Sequence, residues 1–341
     1  MHSKTRDLRT DLVGVVESIY DLERDGQAWI DGILERLESC LCDGSGLFGF
    51  DYVVTKAGNL KPGAFASRGC PTTMGLPDAA LRIDPEFVRR SYLVVDWGAA
   101  SQIAGWTESP AGQLARASGV LDNWGINGRN PGGRGFIVLV NRRAPGLPHP
   151  SQRAALSRIA LHLAAAHRLR ERLREADPTG RAEAVMSPGG KVCHAAGAAK
   201  LPDALDALKA GASAMERARG ALRRASPNRA IQLWTTLTGA RWTLVDHFER
   251  DGRRYILAQE NESSAPPHAA LSPRERQVLA NAALGRSNKE IAYALGIEHS
   301  TVRVLLTRAS KKLGATNRSS LLQAYEALET AATQTDEVTG N

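Results

Sequence analysis

From Leu271 to Ala315 the chain reads LSPRERQVLANAALGRSNKEIAYALGIEHSTVRVLLTRASKKLGA. Ser272-Pro273-Arg274-Glu275 has the form of a capping box, in which a Ser hydroxyl and a Glu carboxylate each satisfy an orphaned backbone N–H, with Pro at the first helical position. This predicts a helix to about Ala283, broken at Gly285. Ser287-Asn288-Lys289-Glu290 repeats the box and starts a second, short helix ending at Leu295. Gly296 stands just past that end, where a left-handed residue is wanted. A third helix is expected from about Ser300 to Leu313. Two short helices joined by a tight, Gly-containing turn form the helix-turn-helix layout.

On the third helix Val302, Leu306, Ala309 and Leu313 make an inward stripe at spacings of four, three and four, leaving Arg303, Thr307, Arg308, Lys311 and Lys312 elsewhere on the circumference. A DNA major groove accepts one α-helix, whose N-terminal side chains reach base edges while flanking basic and hydroxyl groups hold phosphates. Arg303 is placed to pair bidentately with guanine. A fourth helix, from about Arg318 to Leu328, carries Leu321, Leu322, Tyr325 and Leu328, which close the bundle.

These residues resemble the LuxR-type DNA-binding domain. The resemblance rests on 271–276, Gly285, 287–292, Thr301-Val302-Arg303, 312–315 and Arg318, and covers about 50 residues. It implies a four-helix module of bacterial transcription regulators that binds double-stranded DNA as a homodimer on two-fold-related half-sites. By position it implies base-facing roles for Arg303, Val304 and Thr307, with Lys289, Thr301, Arg308 and Lys311 near phosphate and Ser300 beside them. RNA polymerase is a further partner in that setting. Two residues depart from the pattern: Leu305 stands where the family often has His, and Glu298 where it often has a capping Ser or Thr.

The 341-residue chain as a whole is of ordinary globular composition, with 43% apolar and 23% charged residues. Its length suggests two or three domains. No apolar run of 18 residues and no signal-peptide pattern occurs, so a cytoplasmic protein without membrane association is expected. Cys40, Cys42, Cys70 and Cys193 are too few for a disulfide framework and are expected as free thiols. The net charge of +8 is uneven: −1 over 1–150, +7 over 151–270, +5 over 271–328 and −3 over 329–341. A basic C-terminal half fits an anionic partner.

Working toward the N-terminus, 263–270 has linker composition, including Pro266-Pro267. Residues 179–262 read as a small α+β unit, with hairpin signals at 187–190 and at Asp251-Gly252. Leu156, Ile159, Leu163, Ala166 and Leu173 lie near a heptad seam within 151–178. That stripe is either a connector and dimer helix or a face packed on its own domain. Residues 1–150 read as an α+β domain with two amphipathic helices, a strand at 47–55, a loop-rich stretch from Gly58 to Pro77, a helix at 85–92 and a buried strand at 135–141. The chain is thus expected to be multidomain, an α+β sensor region followed by an all-α four-helix bundle over 271–330 and a disordered tail over 331–341. The strand 136–141 and the helix after it resemble the end of a GAF-type or PAS-type sensor, and 183–260 is similar to a PAS unit.

Tyr52, Trp97, Trp106 and Trp124, with Asp84 and Asp96, are candidates to line a pocket for a small amphipathic ligand; the alternative is core packing. An acyl-homoserine-lactone sensor is a named alternative, but the Trp, Tyr and Asp order does not align with that family. Gly44-Ser45-Gly46-Leu47-Phe48-Gly49 fits a dinucleotide fingerprint in letters only, because it follows a helix and precedes a strand, the reverse of what that site needs. Cys40 and Cys42 lack a second zinc-spaced pair, and His162 and His167 are five apart, off one helix face. No nucleophile elbow or phosphate-binding Lys loop is present. No catalysis, cofactor or metal is expected. The rival is a small-molecule sensor or enzyme whose helix-turn-helix has lost DNA binding.

Overall fold

The first two helices form where the apolar spacing predicts them. The computed structural model describes residues 11–55, 57–70, 85–92, 96–103, 105–129, 133–173, 182–238, 242–248, 254–260 and 271–335. Helix α1 (Leu12–Ile19) is capped by the Asp11 carboxylate, which accepts from Gly14 N at 3.1 Å. Helix α2 (Gly26–Leu41) buries Trp29, Ile30, Ile33, Leu34 and Leu37. Strands β1 (Leu47–Val54), β2 (Leu60–Arg68), β3 (Trp97–Ala99), β4 (Asp122–Arg129) and β5 (Arg134–Arg142) form an antiparallel sheet in the order β2-β1-β5-β4-β3. Helices α3 (Pro85–Tyr92) and α4 (Pro110–Ala117) lie between β2 and β4 in the chain.

Strand β2 falls inside the stretch that the sequence marks as loop-rich. It holds Pro62 and Gly63, both strand breakers, yet it is an edge strand, where a missing N–H breaks no ladder on the open side. The register of β1 against β2 shifts between Phe50 and Tyr52, opposite that Pro-Gly pair.

Helix α5 (Pro150–Leu173) crosses the sheet and is covered along almost its whole length within the chain. Its stripe residues Leu156, Ile159, Leu163 and Ala166 are at most 1% exposed, so this face packs on the chain's own core rather than standing free as a seam. Gly128 of β4 sets the approach, because a Cβ there would lie 2.4 Å from Ala164 N.

Beyond α5, strands β6 (Ala184–Met186), β7 (Val192–Ala195), β8 (Trp242–Phe248) and β9 (Arg254–Glu260) make a second antiparallel sheet in the order β7-β6-β9-β8. The expected hairpin at 187–190 joins β6 to β7. The turn at Asp251-Gly252 lies outside the described residues, although the strands flanking it pair antiparallel. Helices α6 (Pro202–Arg219), α7 (Ala221–Ala225) and α8 (Pro227–Thr238) complete this unit. A single apolar cluster runs from Leu12 to Ala258 and joins both sheets. Arginines from the basic stretch bind back to acids of α1 and its cap, Arg219 to Glu17 at 3.0 Å and Arg223 to Asp11 and Glu17, and Arg219 also pairs with Asp246 of β8. Part of the positive charge over 151–270 is therefore spent inside the chain.

His162 sits at the centre of this cluster, 0% exposed, with Nδ1 3.2 Å from the Tyr20 hydroxyl and its ring edge-on to Trp234. Burial holds its pKa down at about 3. The unfolded chain takes up this proton near pH 6.5 and the folded chain only near 3, so the protein should lose stability as pH falls through that window. Relative to His162→Gln, urea midpoints should show an excess slope approaching about 1.4 kcal/mol per pH unit between pH 6.5 and 3, and none above 7. Parallel pH profiles for the two proteins would refute the neutral, buried imidazole.

Candidate nucleic-acid interface

The C-terminal bundle forms as its punctuation predicts. Helices α9 (Pro273–Ala283) and α10 (Asn288–Leu295) each start with a complete capping box, at Ser272/Glu275 and Ser287/Glu290. Gly296 ends α10 in the left-handed region at φ +61°. Helix α11 (His299–Leu313) follows, and Glu298 at its N-cap makes no side-chain cap bond, as expected where Ser or Thr is absent. Helix α12 (Arg318–Thr335) runs on past the start of the expected tail; Ala331 and Ala332 favour helix there. Residues 263–270 and 336–341 lie outside the described residues.

The inward side of α11 differs in one position from the sequence expectation. Leu305 packs in the bundle core with Val278, Ile291, Leu295 and Val302, while Leu306 and Leu313 are half-buried. On the outside, Ser300, Arg303, Val304, Thr307, Arg308 and Lys311 recur at three- and four-residue spacing and share one face. All are exposed, as are Thr301 on α11 and Lys289 on α10, and Val304 is a large apolar side chain 47% exposed. Thr307 Oγ1 donates to Arg303 O at 2.9 Å. Among the described residues no carboxylate pairs with Lys289, Arg303, Arg308 or Lys311, so their charge faces solvent. Lys312 differs: its Nζ lies 2.7 Å from Glu275 Oε2, and that pair, with the capping box, holds the Glu275 carboxyl below the usual range against burial. Arg318 bonds Asn288 Oδ1 and Arg286 O, fastening α12 to the start of α10.

The opposite side of the bundle docks on the N-terminal region. The C-terminal turn of α10 leaves carbonyls without helical partners. Two carbonyls of this turn are met from outside: Arg153 Nη1 donates at 3.1 Å to Tyr293 O, which also accepts from Gly296 N at 3.4 Å, and Trp97 Nε1 donates to Ala294 O at 2.8 Å. The Arg153 guanidinium also lies 3.7 Å over the Tyr293 ring and bonds its hydroxyl. On α9, Gln277 Nε2 donates to Ser157 O at 3.0 Å and Asn281 Nδ2 to Asp96 Oδ2 at 3.2 Å, while Ser157 Oγ donates to Asp96 Oδ1 at 2.7 Å. Burial pushes the Asp96 carboxyl up, opposed by Ser157, the Trp97 backbone N–H, the Arg274 charge and Asn281. The docked arrangement leaves the α11 face uncovered.

Residues 269–324 match GerE, described as bacterial regulatory proteins of the luxR family. The C-terminal module is a LuxR-family DNA-binding domain. The chain is similar to the transcriptional regulatory protein MctR of Rhizobium johnstonii, 38% identical over 68 residues that are 20% of this chain and 30% of that protein. It is also similar to the transcriptional activator protein VanR of Vibrio anguillarum, 50% identical over 54 residues, 16% of this chain and 22% of that one. The match thus spans under a third of the length of these relatives. Among solved structures, SdiA of Escherichia coli aligns over 91% of this chain and 94% of its own at 13% identity, with a TM-score of 0.25. No helix among the described residues is long and apolar enough to cross a membrane.

A cavity of about 120 Å³ lies where the LuxR-family domain meets the first sheet. Trp97, Trp106 and Asp96 of the sequence candidates line it, together with Phe48 and Phe87. Tyr52 and Trp124 do not. The Tyr52 hydroxyl lies 2.7 Å from Asn127 Oδ1 and 2.9 Å from Tyr92 O, whereas Trp124 donates to Gly146 O and stacks under Arg142. Asp84 is outside the described residues. The docking residues Arg153, Ser157, Gln277 and Asn281 escaped the sequence reading. One signal was available, since Gln277 and Asn281 place two amides four apart beside Val278 on the inward face of α9.

Proposed function

We propose that the chain is a transcription regulator that binds promoter DNA sequence-specifically through α11, as a homodimer controlled by its N-terminal region. The observation that carries this is the exposed face of α11, on which hydroxyls, Val304 and basic groups that pair with no carboxylate among the described residues recur at groove-facing spacing. Arg303 reads guanine, Val304 meets a thymine methyl, and Lys289, Arg308 and Lys311 hold phosphates beside Ser300 and Thr301. The GAF- or PAS-like reading of the sensor region is part of this proposal, supported by an antiparallel sheet flanked by helices.

Binding to promoter fragments should fall steeply with log salt. Arg303→Ala should lose about 1–3 kcal/mol of discrimination at one base pair, whereas Lys311→Ala should weaken all sequences alike and flatten the salt slope by about one. Equal, non-selective losses in a competition assay would refute these roles. The second reading, a small-molecule sensor whose module has lost DNA binding, draws on the apolar cavity and predicts no sequence preference at any salt concentration. An acyl-homoserine lactone is one occupant of the kind such a sensor would take.

A further inference from the structure

Three residues of the DNA-binding module, Asn281, Leu284 and Arg286, line the cavity together with Phe48, Phe87 and Trp106 of the sensor region. We propose that this cavity is a joint site of both bodies, and that it takes a small carboxylate with an aryl or short acyl body, the carboxylate meeting Arg286. This rests on the sensor half of the reading above and not on its DNA-binding half.

Size and chemistry narrow the occupant. An enclosed apolar cavity of about 150 Å³ admits benzene, so about 120 Å³ with a partly open mouth suits a body near one ring in size. Arg286 gives one guanidinium N–H to Asn281 Oδ1, and among the described residues its other donors meet no acceptor. A guanidinium with free forked donors at an apolar wall selects a carboxylate over a neutral group. Ser91 Oγ, in the same wall, is buried and meets no hydrogen-bond partner among the described residues, a second polar group open to a ligand. Asp96 does not compete, because its oxygens are held by Ser157 and Asn281. Leu284, 40% exposed at the rim, has apolar surface that an occupant would cover.

A ligand that touches both bodies binds only while they are docked. By reciprocity it strengthens docking by the same factor that docking strengthens its affinity, so the signal reaches the bundle by direct contact, through Arg286, Asn281 and Asp96.

The full chain would be titrated with phenylacetate, following calorimetry and the fluorescence of Trp97 and Trp106, with phenethyl alcohol as the neutral comparison. Saturable one-to-one binding is expected, at least about tenfold weaker for phenethyl alcohol and for Arg286→Met. Arg286→Lys, which keeps the charge, should recover part of the loss, and melting curves of both variants confirm folding. Arg153→Ala, which loosens docking without touching the cavity, should weaken phenylacetate as well. Arg286→Met binding like the parent would overturn the joint site. No saturable binding of phenylacetate, or no preference for it over the alcohol, would overturn the ligand class. Phenylacetate binding with this dependence in a protein that shows no sequence preference on DNA would leave the inference standing and remove the proposed function.

Discussion

Gly128→Val should destabilise the chain by about 3 kcal/mol or more, the upper end of what overpacking a core costs. The reason is what the new side chain would meet. A Cβ at this position of β4 would lie 2.4 Å from Ala164 N and 2.6 Å from Leu163 C and Cβ, and the backbone of a helix cannot turn aside as a side chain does. Helix α5 would have to lift from the sheet, yet it is buried nearly throughout its length, so each relaxation opens a gap elsewhere. Gly125→Val, three residues earlier on the same strand, is the control. Its Cβ would touch Leu139 Cδ2 at 3.4 Å, the end of a flexible side chain, and should cost under about 1 kcal/mol. Equal shifts in urea midpoint for the two variants would show that strand–helix approach at Gly128 is not the constraint.

Asp96→Ala should release the DNA-binding module from its seat. The substitution leaves the buried Ser157 hydroxyl and one amide hydrogen of Asn281 without their acceptor, each at a cost of about 1–3 kcal/mol. It also removes the negative charge that supports Arg274, whose guanidinium burial pushes downward. The bundle keeps its own core and caps, so the loss should fall on docking rather than on folding of the module. Faster hydrogen exchange at the end of α10, together with a longer distance between labels placed on the two bodies, is the expected readout. Asp96→Asn retains one acceptor oxygen and should lie between. Exchange unchanged at α10 would mean that Arg153, Trp97 and Gln277 hold the seat without Asp96.

The bundle was legible in the sequence because its signals are local. Both capping boxes close within three residues, and Gly296 acts on the helix that immediately precedes it. The apolar periods of α1 and α2 were legible for the same reason. Strand β2 was not, since only its place at the sheet edge makes Pro62 acceptable, and that place is fixed by partners elsewhere. The seat was invisible on similar grounds, as Asp96 and Asn281 are 185 residues apart and nothing in either neighbourhood names the other. Leu305 was excluded from the inward stripe by a spacing that fits Leu306 equally well; only packing against Val278 and Ile291 separates them.

The apolar cluster that spans Leu12 to Ala258 bears on how the chain is made. At about 5–20 residues per second, a ribosome takes roughly 12 to 50 seconds to pass from Leu12 to Ala258. Until then Leu12, Val16 and Ile19 lack Ile231 and Trp234, the far end of their own core. The DNA-binding module, whose helices contact one another over short sequence distances, can fold at once when it emerges. Synthesis therefore presents a half-covered N-terminal core before a finished DNA-binding module, and any deletion of α1 strips a wall from a unit encoded two hundred residues later.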